Sequence, residues 1–428
     1  MTAPIVENVR YYMKDKPSTF AIKISKLARA LAAGLVLVGN GVALGAATND
    51  ANAPLQLHTE GNRILNSKGE TVRLRGVNAA SMEFTSDGQG HILKTVNVAI
   101  QDWHVNIIRL PLAQDRWFGK APEQTNGSDA YRALVHQVVD ACASQGCYII
   151  LDLHWSDCNE WGTNIGQHSL PDLNSVEFWK DFAPVYANNP AVLFDLYNEP
   201  HDVTWDQWLK GGRITDRPNG RRSGRPRTYD AVGMQQMLDT VRATGAKNVV
   251  IAGGLDWAYD FSGILDGRQL SDPTGYGVIY ANHCYDNKHD SVDAWIAKME
   301  QATAKLPVIV SEFGGSSGPS REVHWDNWLL HVLQALDDHQ WSYTAWDLHP
   351  GAGPTLMTRD WSYTPSPRFG VFVKQSLEGT LPHYSEPPPP PPEPVTNSTA
   401  PYPIPIERGH PQLPSSTLIT NSVPQGTN

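Results

Sequence analysis

Two short apolar segments of this 428-residue chain end in a glutamate. Residues 192–200 contain Glu199 in an Asn-Glu-Pro sequence, and residues 307–314 contain Glu312 followed by Phe-Gly. Cleaving the acetal between two sugars takes one carboxyl group that donates a proton and a second that attacks or stabilises the anomeric carbon. Two glutamates at the carboxyl ends of buried strands are placed for that work, so the pair predicts glycosidase chemistry.

The segments around these glutamates predict an α/β fold. Short β-branched runs alternate with longer helical patterns, which is typical of a parallel sheet. Eight strand–helix units in about 330 residues predict a (β/α)8 TIM barrel. An open doubly wound sheet is the alternative, and it is weakened because no Gly-rich nucleotide loop follows the first strand. The predicted strands are 72–78, 106–110, 148–154, 192–198, 248–252, 278–285, 307–312 and 343–347.

A small β-hairpin is predicted before the barrel, with arms at 57–65 and 71–77 and a turn at 66–69. After the predicted strand that leads to Glu199, residues 211–227 are rich in Arg, Gly and Pro. This composition favours an inserted surface loop rather than a helix. Binding of an acidic polysaccharide there is the minority interpretation.

The two ends of the chain differ from its body. Residues 1–53 combine basic residues, an apolar run at 31–44 and then small residues, which predicts a secretory leader cleaved between about 45 and 53. A retained membrane anchor is the alternative, although Gly and Asn dilute the short apolar run. Residues 385–428 include six consecutive prolines and predict a Pro-rich disordered tail. Residues 54–384 remain as the catalytic barrel of a secreted protein that has no membrane association after cleavage.

The composition limits the classes of partner and cofactor that we expect this protein to bind. The net charge of −10 does not suit a protein that binds nucleic acid. Four cysteines allow three complete pairings, among which a local bridge between Cys142 and Cys147 is our expectation and buried thiols the alternative. Neither the cysteines nor the histidines have the spacing of a zinc site, so we expect no metal and no cofactor. We expect a monomer.

Six short motifs occur in order between residues 55 and 380. Together they resemble the motif set of glycoside hydrolase family 5, the cellulase family within the clan of retaining (β/α)8 glycosidases. The resemblance implies a retaining mechanism, with Glu199 as acid/base and Glu312 as nucleophile. The motifs are Leu-Arg-Gly-Val-Asn at 74–78, Ile-Ile-Arg-Leu-Pro at 107–111, Leu-Asp-Leu-His at 151–154, Asn-Glu-Pro at 198–200, His-Cys-Tyr at 283–285 and Glu-Phe-Gly at 312–314.

Other polar and aromatic residues cluster at the carboxyl ends of the predicted strands, where the chemistry of a barrel lies. Arg109 offers Glu312 a fixed positive fork, and Tyr285 offers it a phenolic donor. Asn198 offers an amide to the sugar 2-hydroxyl, and Trp346 a flat apolar face under the sugar. The complete predicted binding and supporting set is Arg109, His154, Trp155, Asn198, His283, Tyr285 and Trp346.

Together with these residues, the family resemblance implies a secreted retaining endo-β-1,4-glucanase that hydrolyses a β-linked polysaccharide or oligosaccharide by double displacement. Fourteen tryptophans, several of them in strand-end loops, favour a cleft with several sugar subsites. A β-mannanase or another β-glucanase on the same scaffold is the alternative. A non-catalytic carbohydrate-binding barrel is less consistent with the retention of both glutamates. Asp152 and Asp195 lie further back in their strands, and we expect them to be buried structural acids.

Overall fold

A computed structural model describes residues 52–216, 226–288, 290–315 and 322–384 of the chain. All of the predicted leader except residues 52 and 53, and the whole of the predicted tail at 385–428, lie outside these ranges. The strands are β1 (Leu57–Glu60), β2 (Arg63–Asn66), β3 (Arg75–Asn78), β4 (Ile107–Ala113), β5 (Tyr148–Trp155), β6 (Val192–Asp195), β7 (Gly211–Asp216), β8 (Arg227–Val232), β9 (Val250–Gly253), β10 (Val278–Tyr285), β11 (Val308–Gly314) and β12 (Ser342–Ala345).

Eight of these strands form a closed parallel barrel. They pair in chain order as β3, β4, β5, β6, β9, β10, β11 and β12, and β12 pairs with β3 to close the ring. Closure rules out the open doubly wound sheet and confirms the predicted (β/α)8 fold. Each barrel strand lies within or close to the segment predicted for it.

Helices cover the outside of the barrel. The well-defined N-terminus of α4 illustrates how the sequence starts them: Asp172 and Ser175 form a reciprocal capping box. Within the described ranges, no helix combines the length and the apolar character needed to cross a membrane. The helices there are α1 (Ile92–Gln101), α2 (Gln114–Trp117), α3 (Asp129–Ser144), α4 (Leu173–Tyr186), α5 (Trp205–Lys210), α6 (Met234–Ala243), α7 (Leu255–Ala258), α8 (Ser262–Leu265), α9 (Val292–Thr303), α10 (Glu322–Asp338) and α11 (Phe369–Glu378).

Two apolar clusters hold the barrel together. The larger one lies between strands and helices, where Phe178 and Phe182 of α4 pack with Phe194 of β6. The smaller one joins inward-facing aliphatic side chains such as Ile150 and Ile309. Because aliphatic side chains occupy that part of the interior, the buried polar residues gather towards the carboxyl ends of the strands.

The N-terminal hairpin exists, but its turn is not where we predicted it. Strands β1 and β2 pair around Gly61 and Asn62, and Gly61 has a φ of 61°. A two-residue loop with a left-handed backbone suits a hairpin that contains Gly-Asn. The predicted turn at 66–69 is also a turn, and it leads only to an isolated bridge between Leu65 and Thr71. The segment 57–71 therefore contains two turns, and only the first, at Gly61 and Asn62, joins the two strands of the hairpin.

The Arg-rich segment is not a plain loop at its two ends. Strands β7 and β8 pair antiparallel, from Gly211 with Val232 to Asp216 with Arg227. Buried Ile214 and Tyr229 explain why these flanks are ordered as a ribbon. Residues 217–225, which contain four of the arginines, lie outside the described residues.

The expected Cys142–Cys147 bridge is wrong, because all four cysteines are free and buried. The Cys147 thiol donates a hydrogen bond to the backbone oxygen of Tyr148 at 3.3 Å. Burial raises the pKa of the Cys147 thiol well above its ordinary value. The cysteines therefore act as small apolar core residues.

Candidate active site

The two predicted glutamates meet at the mouth of the barrel. Glu199 follows β6, Glu312 lies in β11, and His283 of β10 stands between them. Nδ1 of His283 is 2.9 Å from Oε1 of Glu199 and 3.6 Å from Oε2 of Glu312. One oxygen of each glutamate and a ring nitrogen of His283 lie within 4.8 Å of one another. Carboxyl groups about 5 Å apart are characteristic of retaining glycosidases, whereas inverting enzymes leave a wider gap for water.

Glu312 accepts two short hydrogen bonds from side chains. Nη1 of Arg109 donates to Oε1 at 2.6 Å, and the Tyr285 hydroxyl donates to Oε2 at 2.6 Å. The Glu312 side chain is only 4% exposed, so these donors replace water around the charge. Hydrogen bonds to the charged form of a carboxylate favour that form. The partners predicted for Glu312 from sequence are therefore the ones that contact it.

Arg109 also organises the acids behind the site. Its side chain is fully buried, and it lies 3.0 Å from Asp152, 3.1 Å from Asp195 and 2.6 Å from Glu312. Burial raises the pKa of Asp152 to about 7 and that of Asp195 well above its ordinary value, while the guanidinium opposes both shifts. Asp152 and Asp195 thus form the buried structural contacts that their positions suggested.

Replacing Arg109 with methionine should destabilise the fold strongly. The change leaves Asp152, Asp195 and Glu312 buried without their shared cation, so the free energy of unfolding should fall by about 3–5 kcal/mol. Urea unfolding measures this change in the free energy of unfolding. A matched control is R63M, which removes an exposed arginine paired with exposed Glu60; it should cost no more than about 1 kcal/mol. Equal losses in the two variants would contradict this account of Arg109.

Glu199 lies in a different environment from Glu312. Its side chain is 18% exposed, and burial raises the pKa of its carboxyl group above the ordinary value. His283 contacts Oε1 through Nδ1, and its Nε2 lies 3.0 Å from the Ser311 hydroxyl. Burial lowers the pKa of His283 to about 3, so the ring stays neutral beside Glu199. Burial therefore favours the protonated form of Glu199, whereas Glu312 accepts hydrogen bonds from Arg109 and Tyr285. Acid and nucleophile roles need two carboxyl groups in environments as different as these.

The remaining predicted residues line the same mouth. Nδ1 of His154 lies 2.6 Å from Oδ2 of Asp152, and burial lowers the pKa of the His154 ring to about 4. The rings of His154 and Trp346 stack with their centroids 5.3 Å apart. Trp155 ends β5 beside them and, like Trp346, is partly exposed. The site thus combines fixed hydrogen-bonding groups with aromatic faces that suit a sugar ring.

Sequence reasoning missed three side chains near this site. Gln167, in the loop between β5 and α4, bonds to the Asn198 amide, and nothing periodic in that loop could have indicated it. Glu83 and Asp347 are buried acids, and Asp347 directly follows Trp346, so a strand-end search could have found it. Burial raises the pKa of Glu83 to about 8, so this carboxyl group is mostly protonated at neutral pH, and burial raises the pKa of Asp347 well above its ordinary value.

Among the residues that the structure describes, two groups of three side chains have possible metal-ligand atoms within 4.8 Å of one another. One is Glu199, His283 and Glu312. The other is Cys158, His168 and Asp216. In that second group Nδ1 of His168 lies 2.6 Å from Oδ2 of Asp216, a hydrogen-bond distance that a proton alone explains. The structure thus gives no reason to invoke a metal at either group, and the expected absence of a metal stays a prediction.

Paired carboxyl groups at the carboxyl ends of the strands of a closed eight-stranded barrel define a (β/α)8 glycoside hydrolase. The particular family follows from the sequence: the profile of the cellulase family, glycosyl hydrolase family 5, matches residues 65–352. The chain belongs to this family. The family predicted from the six motifs is thereby confirmed.

The individual relatives that match this chain share about a quarter of its residues over the aligned region. Endoglucanase MaCel5A of Microbulbifer sp. (strain ALW1) is 23% identical over 300 residues, covering 68% of this chain and 51% of the relative. Endoglucanase N of Pectobacterium atrosepticum is 26% identical over 337 residues, covering 72% of this chain and 65% of the relative. The chain thus spans between half and two thirds of the length of these two relatives.

A solved structure shares the fold. The β-glucanase SdGluc5_26A from Saccharophagus degradans, crystallised in complex with cellotetraose, aligns with a TM-score of 0.60 at 22% identity. The alignment covers 78% of this chain and 96% of that protein. At this identity the likeness establishes the barrel fold.

Proposed function

We propose that this protein is a secreted retaining endo-β-1,4-glucanase that hydrolyses β-glucan chains. The observation that carries the proposal is the pair Glu199 and Glu312, whose oxygens lie within 4.8 Å. Glu312 is held by two strong donors, and burial raises the pKa of Glu199. This asymmetry supports Glu312 as nucleophile and Glu199 as acid/base.

The reaction would proceed in two displacements. In the first, a carboxylate oxygen of Glu312 bonds to the anomeric carbon while Glu199 gives its proton to the departing glycosidic oxygen. In the second, ionised Glu199 takes a proton from water, whose oxygen attacks the anomeric carbon and releases Glu312. Two inversions give net retention, and Glu199 ends protonated, as it began, with a proton that comes from water.

The choice of a β-1,4-glucan is supported by three observations. The relatives named above are endoglucanases, and the β-glucanase of similar fold was crystallised in complex with cellotetraose. In addition, partly exposed Trp155 ends β5, and partly exposed Trp257, Trp346 and Trp361 come after the carboxyl ends of later barrel strands. Several such faces suit a chain of sugars better than a single sugar. A β-mannanase, or a glucanase for another β-glucan, remains the alternative on this scaffold.

Assays on a set of polysaccharides test this function. The purified protein should cleave carboxymethylcellulose or mixed-linkage glucan fastest, with slower turnover of xyloglucan and mannan. Product sizing should reveal mixed oligosaccharides early, because endo cleavage occurs inside chains. Faster turnover of mannan would favour the mannanase. Binding without hydrolysis of any of these polysaccharides would favour a non-catalytic barrel.

The pH profile should fall at both ends. Acid protonates the attacking carboxylate, whereas alkali removes the proton that Glu199 must donate. Because burial raises the pKa of Glu199, the alkaline limb of kcat/KM should lie above the range of an ordinary glutamic acid. Measuring kcat/KM from pH 3 to 10 with an aryl cellobioside checks this. In E199Q the alkaline limb should disappear from the residual activity, and an unchanged limb would assign it to another group.

Secretion rests on the leader pattern of residues 1–53. Mass spectrometry of protein recovered from the medium of a bacterial host should locate the mature N-terminus between about 45 and 53. Size-exclusion chromatography of the same material tests the expected monomer. Intact residues 1–53 on a membrane-bound product would favour the retained anchor.

A further inference from the structure

Gln167 uses its whole side-chain amide in a fixed network. Its Oε1 accepts a hydrogen bond from Nδ2 of Asn198 at 2.9 Å. Its Nε2 donates to the backbone oxygens of His168 and Glu199, each at 3.1 Å. Gln167 therefore links the loop after β5 to both residues of the Asn-Glu pair.

These partners determine which way the two amides face. Backbone oxygens only accept, so the amide nitrogen of Gln167 must point at them and its oxygen at Asn198. From the other side Nη2 of Arg109, which only donates, lies 2.7 Å from Oδ1 of Asn198. Both neighbours thus impose the same orientation on Asn198, with its oxygen inward and its NH2 group towards Gln167 and the site.

The second hydrogen of that NH2 group is weakly engaged. Nε2 of His154 lies 3.4 Å from Nδ2 of Asn198, long for a hydrogen bond. The His154 ring donates through Nδ1 to Asp152, so Nε2 carries a lone pair. A sugar hydroxyl arriving there meets one donor on Asn198 and one acceptor on His154.

The loop that carries Gln167 is anchored on the side away from the site. The ring of His168 lies 2.6 Å from Asp216 at the end of β7 through Nδ1, and 2.6 Å from the backbone oxygen of Asn164 through Nε2. The Tyr197 hydroxyl donates to the backbone oxygen of His168 at 2.9 Å. These bonds fix the backbone next to Gln167, so its amide is preorganised rather than free to turn.

We propose that Gln167 is a positioning residue, which holds the Asn198 amide so that one N–H points at the 2-hydroxyl of the sugar undergoing cleavage. This inference rests on the proposed function, since it needs a glycoside in the site. Hydrogen bonds to the 2-hydroxyl strengthen as the oxocarbenium-like transition state forms. An Asn198 amide without its fixed orientation should therefore lower kcat more than it raises KM.

The test compares two substrates in three variants. Q167M keeps the length of the side chain and removes its hydrogen bonds, N198A removes the proposed sugar contact, and T163A changes an exposed side chain of the same loop as a control. The substrates are an activated aryl β-glycoside and its 2-deoxy counterpart. Thermal unfolding checks that each variant is folded.

We expect Q167M to lower kcat by about 10–30-fold on the 2-hydroxy substrate and by less than about 3-fold on the 2-deoxy substrate, because only the first uses the Asn198 contact. N198A should have a larger loss with the same substrate dependence, and T163A should match the wild type. Equal losses for Q167M on both substrates would overturn the inference. If N198A also loses equally on both substrates, the proposed role of Asn198 fails first, and hydrolysis of neither substrate by the wild type would reject the proposed function itself.

Discussion

Replacing Glu312 with alanine should lower kcat on β-glucan by about 10⁵-fold or more, because it removes the group that bonds to the anomeric carbon. Azide should partly restore turnover of an activated aryl β-glycoside, since a small anion can enter the space that the carboxylate leaves. The product should be the α-glycosyl azide, because one displacement inverts the configuration. Nuclear magnetic resonance of the product identifies the anomer.

The matched control for this variant is E177A, which removes an exposed glutamate of α4 that pairs with Lys180. E177A should keep wild-type turnover, and azide should not change its rate. A β-glycosyl azide from E312A, or no effect of azide at all on a folded variant, would count against Glu312 as the nucleophile. Circular dichroism decides whether the variant is folded.

Glu199→Gln should separate binding from cleavage. Glutamine keeps the shape and can still contact His283, so the affinity for a cello-oligosaccharide should stay within about threefold. It has no proton to give, so hydrolysis of the polysaccharide should fall by about 10³–10⁴-fold, within the range of general acid catalysis. Isothermal titration and reducing-sugar assays measure the two quantities.

The leaving group supplies the internal control for Glu199. An aryl glycoside whose phenol leaves without protonation should lose far less in the first step than the polysaccharide does. A loss of the same size on both substrates would mean that Glu199 does more than donate a proton. Wild-type hydrolysis of the polysaccharide by the variant would remove Glu199 from the mechanism.

Much of the barrel was predictable because its signals are local. Buried parallel strands have apolar, β-branched runs, and a functional residue at the end of such a run is brought to the mouth by the topology alone. This is why Arg109, Asn198, Glu199, His283, Tyr285 and Glu312 lie together although they span about 200 residues of sequence. The contacts of Glu312 with Arg109 and Tyr285 could be predicted from the positions of the strand ends and from the family motifs.

Other features depend on contacts between distant segments, which no local pattern encodes. Gln167 acquires its partners from Asn198 and Glu199. The ribbon of β7 and β8 is ordered by the burial of Ile214 and Tyr229 within a segment whose composition indicates a loop. The hairpin turn was misplaced because two turn sequences lie side by side, and pairing with β1 selects the first.

The position of Arg109 constrains how this enzyme can change over generations. The Arg109 guanidinium pairs with Asp152, Asp195 and the proposed nucleophile Glu312. A substitution that alters catalysis at this point should therefore also alter the stability of the barrel. Selection for heat tolerance should therefore conserve Arg109 and its three acidic partners. Replacements should accumulate on the outer helices, where they can raise stability without changing the site.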